Sequence, residues 1–275
     1  MRELGYIEGQ NIVIEWRVGK GDTERYREIS AEFVRLKLDC MVTWGLAPSL
    51  ATKLATSTIP IVMVGVNDDP VRRGLVASLS RPGGNVTGFI VMGPDLAGRR
   101  LQLLKEILPK ASRMAILWDR GGLASTSHVK EAEAAARVLG VQLQSLEVGD
   151  AKDLESAFQA AAKGGALALL VVATGLLNSH QARIANLAAK ARLPAIYTSS
   201  QFIPVGGLMS YAADGVEQFR GAATYFDRIL KGAKPADLPV QQPTKFELVV
   251  SLKAAKQIGL TIPRSVLVQA DKVIE

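Results

Sequence analysis

The chain has 275 residues, 48% of them hydrophobic and 21% charged, a composition that excludes a disordered chain and supports well-filled cores. At this length two lobes of about 100 to 150 residues each are the default. The net charge is +7, but the 33 Lys and Arg are spread along the whole sequence, so no nucleic-acid-binding face is indicated, and no apolar stretch reaches the roughly 18 residues of a membrane span.

In chain order, Leu4-Gly5 reads as the last turn of a helix and its glycine C-cap. Strands are predicted at Ile12–Trp16, Cys40–Trp44, Ile59–Val66, Val86–Val91, Arg113–Trp118, Gln142–Val148, Leu167–Ala173 and Ala195–Tyr197. Helices are predicted at Thr23–Leu36, Pro48–Thr56, Asp95–Leu108, Ser127–Leu139, Asp153–Lys163, Ser179–Ala191, Val216–Lys231 and Leu252–Ile258. Asp22, Asp95 and either Asp150 or Asp153 are placed to cap helix starts, and Gly140 and Gly259 to end helices. The strands are near-continuous Val, Ile, Leu and Ala, the mark of parallel strands buried on both faces. Strict alternation then gives right-handed βαβ units and an α/β doubly wound parallel sheet. Breaks at Arg81-Pro82-Gly83-Gly84-Asn85 and Val205-Gly206-Gly207 divide the pattern into two such units.

The lone cysteine, Cys40, permits no intrachain disulfide and lies in an apolar run as a small buried hydrophobe. The densest basic cluster, Arg99-Arg100 with Lys105, shares its helix with Glu106 and reads as solvated surface. No phosphate loop, no G-x-G-x-x-G after a strand and no G-x-S-x-G elbow occurs. His128 and His180 have no ligand partners at helical spacing and lie away from the strand ends, so neither a metal site nor a cofactor is called for, and no catalytic frame is present.

Polar and aromatic residues do collect at strand carboxyl ends. Trp44-Gly45 ends one strand, and Ala47-Pro48-Ser49 opens the next helix, where free N–H groups and the helix dipole suit a carboxylate. Capping by Pro48 and Ser49 accounts for the same residues equally well. Asn67-Asp68-Asp69-Pro70 ends another strand, and simple turn chemistry explains it as readily as function. Trp118-Asp119, Thr174-Gly175 and the Tyr211–Asp214 stretch are in the same position, with burial or capping as the competing explanation. Together these residues are expected to form two opposed rims of one cleft.

Five stretches carry a resemblance: RELGYIEGQNIVIEWR, STIPIVMVGVNDDPVRRGLVASLSRPGGNVTG, LAGRRLQLLKEILPKASRMAILWD, LPAIYTSSQFIPVGGLMSYAAD and ILKGAKPADLPVQQPTKFELVVSLKAAKQIGLTIP. Through them the sequence resembles the ABC-transporter substrate-binding protein family that includes tryptophan- and phenylalanine-binding lipoproteins. The resemblance implies a type I periplasmic-binding-protein fold of two lobes joined by three crossings near Thr87, Tyr211 and Thr244. The lobes would be residues 1–87 plus 212–243 and residues 88–211 plus 244–275. Family members begin with an export signal, a strand and a helix ahead of the LRELGY stretch. The expectation is therefore that the first strand and most of the first helix lie upstream of Met1, whose loss would weaken the first lobe and leave a sheet edge suited to homodimerisation.

The resemblance further implies a non-enzymatic solute-binding component that delivers a small amino acid or aromatic carboxylate to ABC permease subunits. Ser49 with Gly45 and neighbouring backbone would hold the carboxylate, Asp68, Asp119 or Asp214 an ammonium group, and Trp44 and Tyr211 would wall the ligand, with Asn67, Met92 and Thr174 completing the set. Leu46 stands where relatives often carry a small hydroxyl residue, which makes that contact more apolar. A periplasmic location follows from the family, although the start at Met1 shows no basic segment leading into an apolar one and by itself would leave the chain in the cytoplasm. A regulator-type ligand-sensing domain and a remnant that binds nothing are the alternatives.

Overall fold

The computed structural model describes residues 1–91 and 96–275. Strands and helices alternate as α1 (Thr23–Arg35), β1 (Met41–Trp44), α2 (Leu46–Ala55), β2 (Ile61–Val66), β3 (Val86–Ile90), α3 (Leu96–Ile107), β4 (Arg113–Asp119), α4 (Ser125–Val138), β5 (Gln142–Val148) and α5 (Asp153–Lys163). There follow β6 (Leu169–Val171), α6 (Gly175–Ser179), α7 (Gln181–Lys190), β7 (Ala195–Tyr197), β8 (Met209–Ala213), α8 (Gly215–Leu230), β9 (Phe246–Ser251), α9 (Leu252–Gln257), α10 (Arg264–Gln269) and β10 (Lys272–Ile274). Two compact units result, Met1–Met92 with Asp214–Thr244 and Gly93–Ala213 with Lys245–Glu275. Thr87, in β3 of the first unit, is wholly buried, and its Oγ1 donates to the Leu238 carbonyl at 2.6 Å. Met92 and Asp95 lie outside the described residues.

The first unit holds a three-stranded parallel sheet in the order β1-β2-β3. Central β2 is IVMVGV, and its side chains are buried on both faces, as an unbroken aliphatic run requires. Val62 and Val64 pack with Phe89 against Ala222, Tyr225 and Ile229 of α8, while α2 covers β1 and β2 and α1 packs on α2. Asp22 caps α1 by accepting the Glu24 and Arg25 amides. At the front, Arg2–Leu4 forms a single turn ended by Gly5 in the left-handed region, φ 83°. Tyr6 anchors it to α8, donating to Asp227 Oδ1 at 3.0 Å and meeting Phe226 edge-on.

Ile12–Trp16 is not a strand. Ile12 makes an isolated bridge to Glu8, and Val13 and Trp16 are 80% and 73% exposed. Its composition supplies β propensity, but a strand needs a neighbour for its backbone groups, and among the described residues none lies beside it.

The second unit is a seven-stranded sheet in the order β10-β9-β8-β7-β6-β4-β5. All its pairs are parallel except β8 with β9, which the alternation of strands and helices did not signal. Successive residues of β4 enter opposite layers. Met114 and Ile116 join Leu101 and Leu104 of α3 on one face, and Ala115 and Leu117 join Leu154 and Phe158 of α5 on the other. The helix expected over Ser179–Ala191 is α7, and a short helix that the sequence did not signal, α6, precedes it and meets it at His180. Lys152, not an aspartate, occupies the position before α5, and Asp153 instead accepts the Gly149 and Asp150 amides.

Gly88 gives a direct test of the first sheet. It has φ 134°, and a Cβ there would stand 2.0 Å from the Met63 carbonyl oxygen, at the place where the β2–β3 register shifts. Gly88→Ala is expected to destabilise the first unit by about 4 kcal/mol or more. Gly98→Ala on α3, where the new methyl meets only Ala135 Cβ at 3.6 Å, is expected to stabilise by roughly 1 kcal/mol. Urea denaturation of both variants measures the contrast.

Candidate functional site

Parallel strands deliver their carboxyl ends to one rim, the usual ligand position in open α/β sheets. In the first unit Trp44 ends β1 in register with Val64, and the Gly45 amide donates to the Val64 carbonyl at 2.8 Å. The Trp44 ring stacks on Phe219 of α8 with centroids 4.8 Å apart and planes 8° from parallel. Gly65 and Gly215 lie beneath it, so closely that a Cβ at either would meet the indole at 3.4 or 3.5 Å. Trp44 and Phe219 nonetheless remain 39% and 44% exposed, leaving an aromatic shelf at the surface of this unit.

Gly45, at φ 89°, turns the chain straight into α2, which begins at Leu46, two residues before the expected start. No side chain caps α2 and Pro48 has no N–H, so the Leu46 and Ala47 amides stand at its positive end. The earlier start places Ser49 a full turn inside the helix. Its hydroxyl donates to the Gly45 carbonyl at 2.7 Å and pairs with Thr43 Oγ1 at 2.8 Å, and the residue is fully buried. Leu46 is likewise buried.

Asn67, after β2, is half-buried with no hydrogen-bond partner among the described residues. Asp68 is different: it is 2% exposed and already engaged. Its Oδ1 accepts the Asp69 amide at 2.8 Å and Arg72 Nη2 at 2.6 Å, and its Oδ2 accepts Arg73 Nε at 2.6 Å. Burial alone would raise this carboxyl, but the Arg72, Arg73 and amide hydrogen bonds together outweigh it and hold the group below its ordinary value. The carboxylate closes its own loop rather than waiting for an ammonium group. Asp214 caps α8, its Oδ1 accepting the Val216 and Glu217 amides.

In the second unit Asp119 ends β4, buried, with Oδ1 accepting the Gly121 amide at 2.8 Å. Thr174 caps α6 through the Leu177 amide. Gly122 draws these two ends together, since a Cβ there would meet Ser125 Oγ, the Thr174 methyl and the Asp119 carbonyl oxygen. Ser125 Oγ, at the start of α4, is buried without a hydrogen-bond partner among the described residues, so it is an unspent polar group in this cluster. Half-buried Tyr211 packs on Phe246 at 5.9 Å, and its carbonyl accepts from Arg100 Nε at 2.9 Å.

Three residues here escaped the sequence reading. Phe219 looks like one more apolar position of an amphipathic helix, and Ser125 precedes the expected helix start. Arg100 belongs to the cluster read as solvated surface, yet it is only 6% exposed, and burial pushes its guanidinium down to about 10. The preceding residue, Arg99, does reach the surface, paired with Glu106. Adjacency in sequence conceals the difference because successive helical residues point about 100° apart.

The sequence profile of the family described as ABC transporter substrate binding protein matches residues 1–274. A tyrosine-binding protein of Clostridioides difficile is 25% identical over 262 residues, which cover 94% of this chain and 74% of the relative. Among solved structures, a conserved domain protein from Vibrio cholerae superposes with a TM-score of 0.91 at 29% identity, covering 99% of this chain and 90% of that one. The ABC domain from Streptococcus pneumonia in complex with L-Trp gives 0.89 at 27% identity, covering 99% and 91%.

Asp68 makes acid stability a readout of the loop. A lowered folded-state pKa means its contribution is fully present above the ordinary carboxyl value of 3.8 and is lost as pH falls through the folded value. Asp68→Asn is expected to cost roughly 1–3 kcal/mol at pH 7, the exposed Arg72 limiting the effect, and to flatten the decline of stability below about pH 4. Urea titrations of both proteins at pH 7 and pH 3 check the sign.

Proposed function

Because this chain belongs to the family of ABC transporter substrate-binding proteins, we propose that it captures an amino acid, preferentially one with an aromatic ring, for uptake by ABC permease subunits outside the cytoplasmic membrane. The observation that carries the preference is the Trp44–Phe219 shelf, an exposed aromatic pair held at a strand carboxyl end. The L-Trp complex of the pneumococcal relative and the tyrosine-binding relative support the same ligand class. Among the described residues no helix is long and apolar enough to cross a membrane, which suits a component that hands its ligand to separate membrane subunits.

In this reading the ligand ring lies on Trp44, where aromatic stacking adds to area burial. The Leu46 and Ala47 amides at the amino end of α2, together with Asn67, receive the carboxylate. The polar groups that the second unit itself offers to a ligand at its strand ends are Asp119, Ser125 and Thr174, with Tyr211 an apolar one. Asp68 and Asp214 act through the loop and the helix that they order. The protein performs no chemistry and needs no cofactor; binding and release are its whole cycle.

Calorimetric titration with L-Trp, L-Tyr, L-Phe and L-Leu tests this. Saturable binding is expected with the aromatic acids ahead of leucine. Trp44→Ala is expected to weaken the aromatic ligands by about 10- to 100-fold, the loss of roughly 1.5–3 kcal/mol of ring contact, and leucine less. Binding of a nucleotide with no response to any amino acid would overturn the reading.

A further inference from the structure

The second unit carries a cavity at the end of its sheet opposite Asp119 and Thr174. About 520 Å³ in volume, it opens where the chain leaves α3 (Ile107–Ala111), approaches β6 (Leu167), turns into β7 (Arg192, Pro194) and leaves α9 (Ile258–Leu260). Its volume falls within the range of small-molecule sites, roughly 300–1,000 Å³. The lining is apolar apart from two charged side chains, Lys110 and Arg192, and it includes no Asp or Glu. Both cations are solvent-exposed, and neither makes an ion pair among the described residues, although 13 such pairs occur elsewhere in them.

Arg192 occupies an unfavourable backbone position. It follows α7 with φ 48°, its amide donating to the Ala189 carbonyl at 3.0 Å and the Leu193 amide to that of Ala188 at 2.9 Å. This helix ending favours glycine, since a side chain in the left-handed region costs about 1 kcal/mol. An arginine here sets a long cation at the cavity mouth at the expense of local stability. An apolar floor with unpaired cations at its edge matches one ligand chemistry, an apolar body ending in an anion, because a guanidinium meets a carboxylate with two parallel hydrogen bonds.

We propose that this cavity is a second binding site, for an organic carboxylate with an aliphatic or arylalkyl body. The hydrocarbon lies against Ile107, Leu108, Leu167 and Leu260, and Lys110 and Arg192 receive the carboxylate. The site lies within one unit and uses none of the residues assigned to amino-acid capture.

Decanoate is the probe, with decanol and decyltrimethylammonium as chain-matched controls, titrated calorimetrically into the full chain in the presence of saturating L-Trp. Decanoate is expected to bind at least tenfold more tightly than either control. Arg192→Gly is the informative variant, because glycine suits the left-handed backbone and the protein should be as stable as the parent or more so. It is expected to weaken decanoate at least fivefold, and adding Lys110→Gln to abolish the preference over decanol, with L-Trp affinity unchanged. Equal binding of decanoate and decanol, undiminished decanoate binding in the stable Arg192→Gly variant, or no binding at all would each reduce the cavity to an apolar crevice and overturn the proposal.

Discussion

Parallel strand pairing under burial on both faces is the constraint on which the rest depends. In β4, Met114 and Ile116 fill one layer and Ala115 and Leu117 the other, so a one-residue slip would exchange two differently shaped sets of side chains. The register against β5 and β6 is thereby fixed, and with it the place where Asp119 emerges. In the first unit β2 plays the same part. Its tight passage past Gly88 and its burial beneath α8 set the end of β1, and so the position of Trp44.

Once the strand ends are fixed, most of the polar groups found there serve the backbone. Asp214 and Thr174 cap helices, Ser49 bonds back into its own turn, and Asp68 holds two arginines and an amide. Buried polar groups must be satisfied, and backbone N–H groups at helix starts are the nearest partners. The groups left over differ in kind: an exposed aromatic pair, an uncapped helix end, Asn67 and the buried hydroxyl of Ser125. The two cations at the opposite end of the second sheet are unspent in the same sense, and there too the neighbouring surface is apolar.

Much of the fold was legible in the chain. Buried parallel strands announce themselves as aliphatic runs, and Asp22 and Gly5 mark helix ends through chemistry that involves only adjacent residues. The failures fall where a distant partner decides. Ile12–Trp16 has strand composition but no partner strand among the described residues, while β8 and β9 become strands because each completes the other's ladder. The start of α2 moved by two residues, and that shift alone turned Ser49 from a rim residue into a buried one.

The sequence by itself determined the fold class, most of the strand ends and the family to which the chain belongs, because the first two follow from local periodicity and the third from long stretches whose order of residues resembles the family's. Only the tertiary structure decided which side chains at those ends are free. Pairing Trp44 with Phe219 joins residues 175 positions apart, and burying Arg100 while Arg99 reaches solvent depends on which helix face meets α4 and the end of β8. A side chain's availability is what remains after packing and hydrogen bonding have taken their share, and that remainder is a property of the folded neighbourhood.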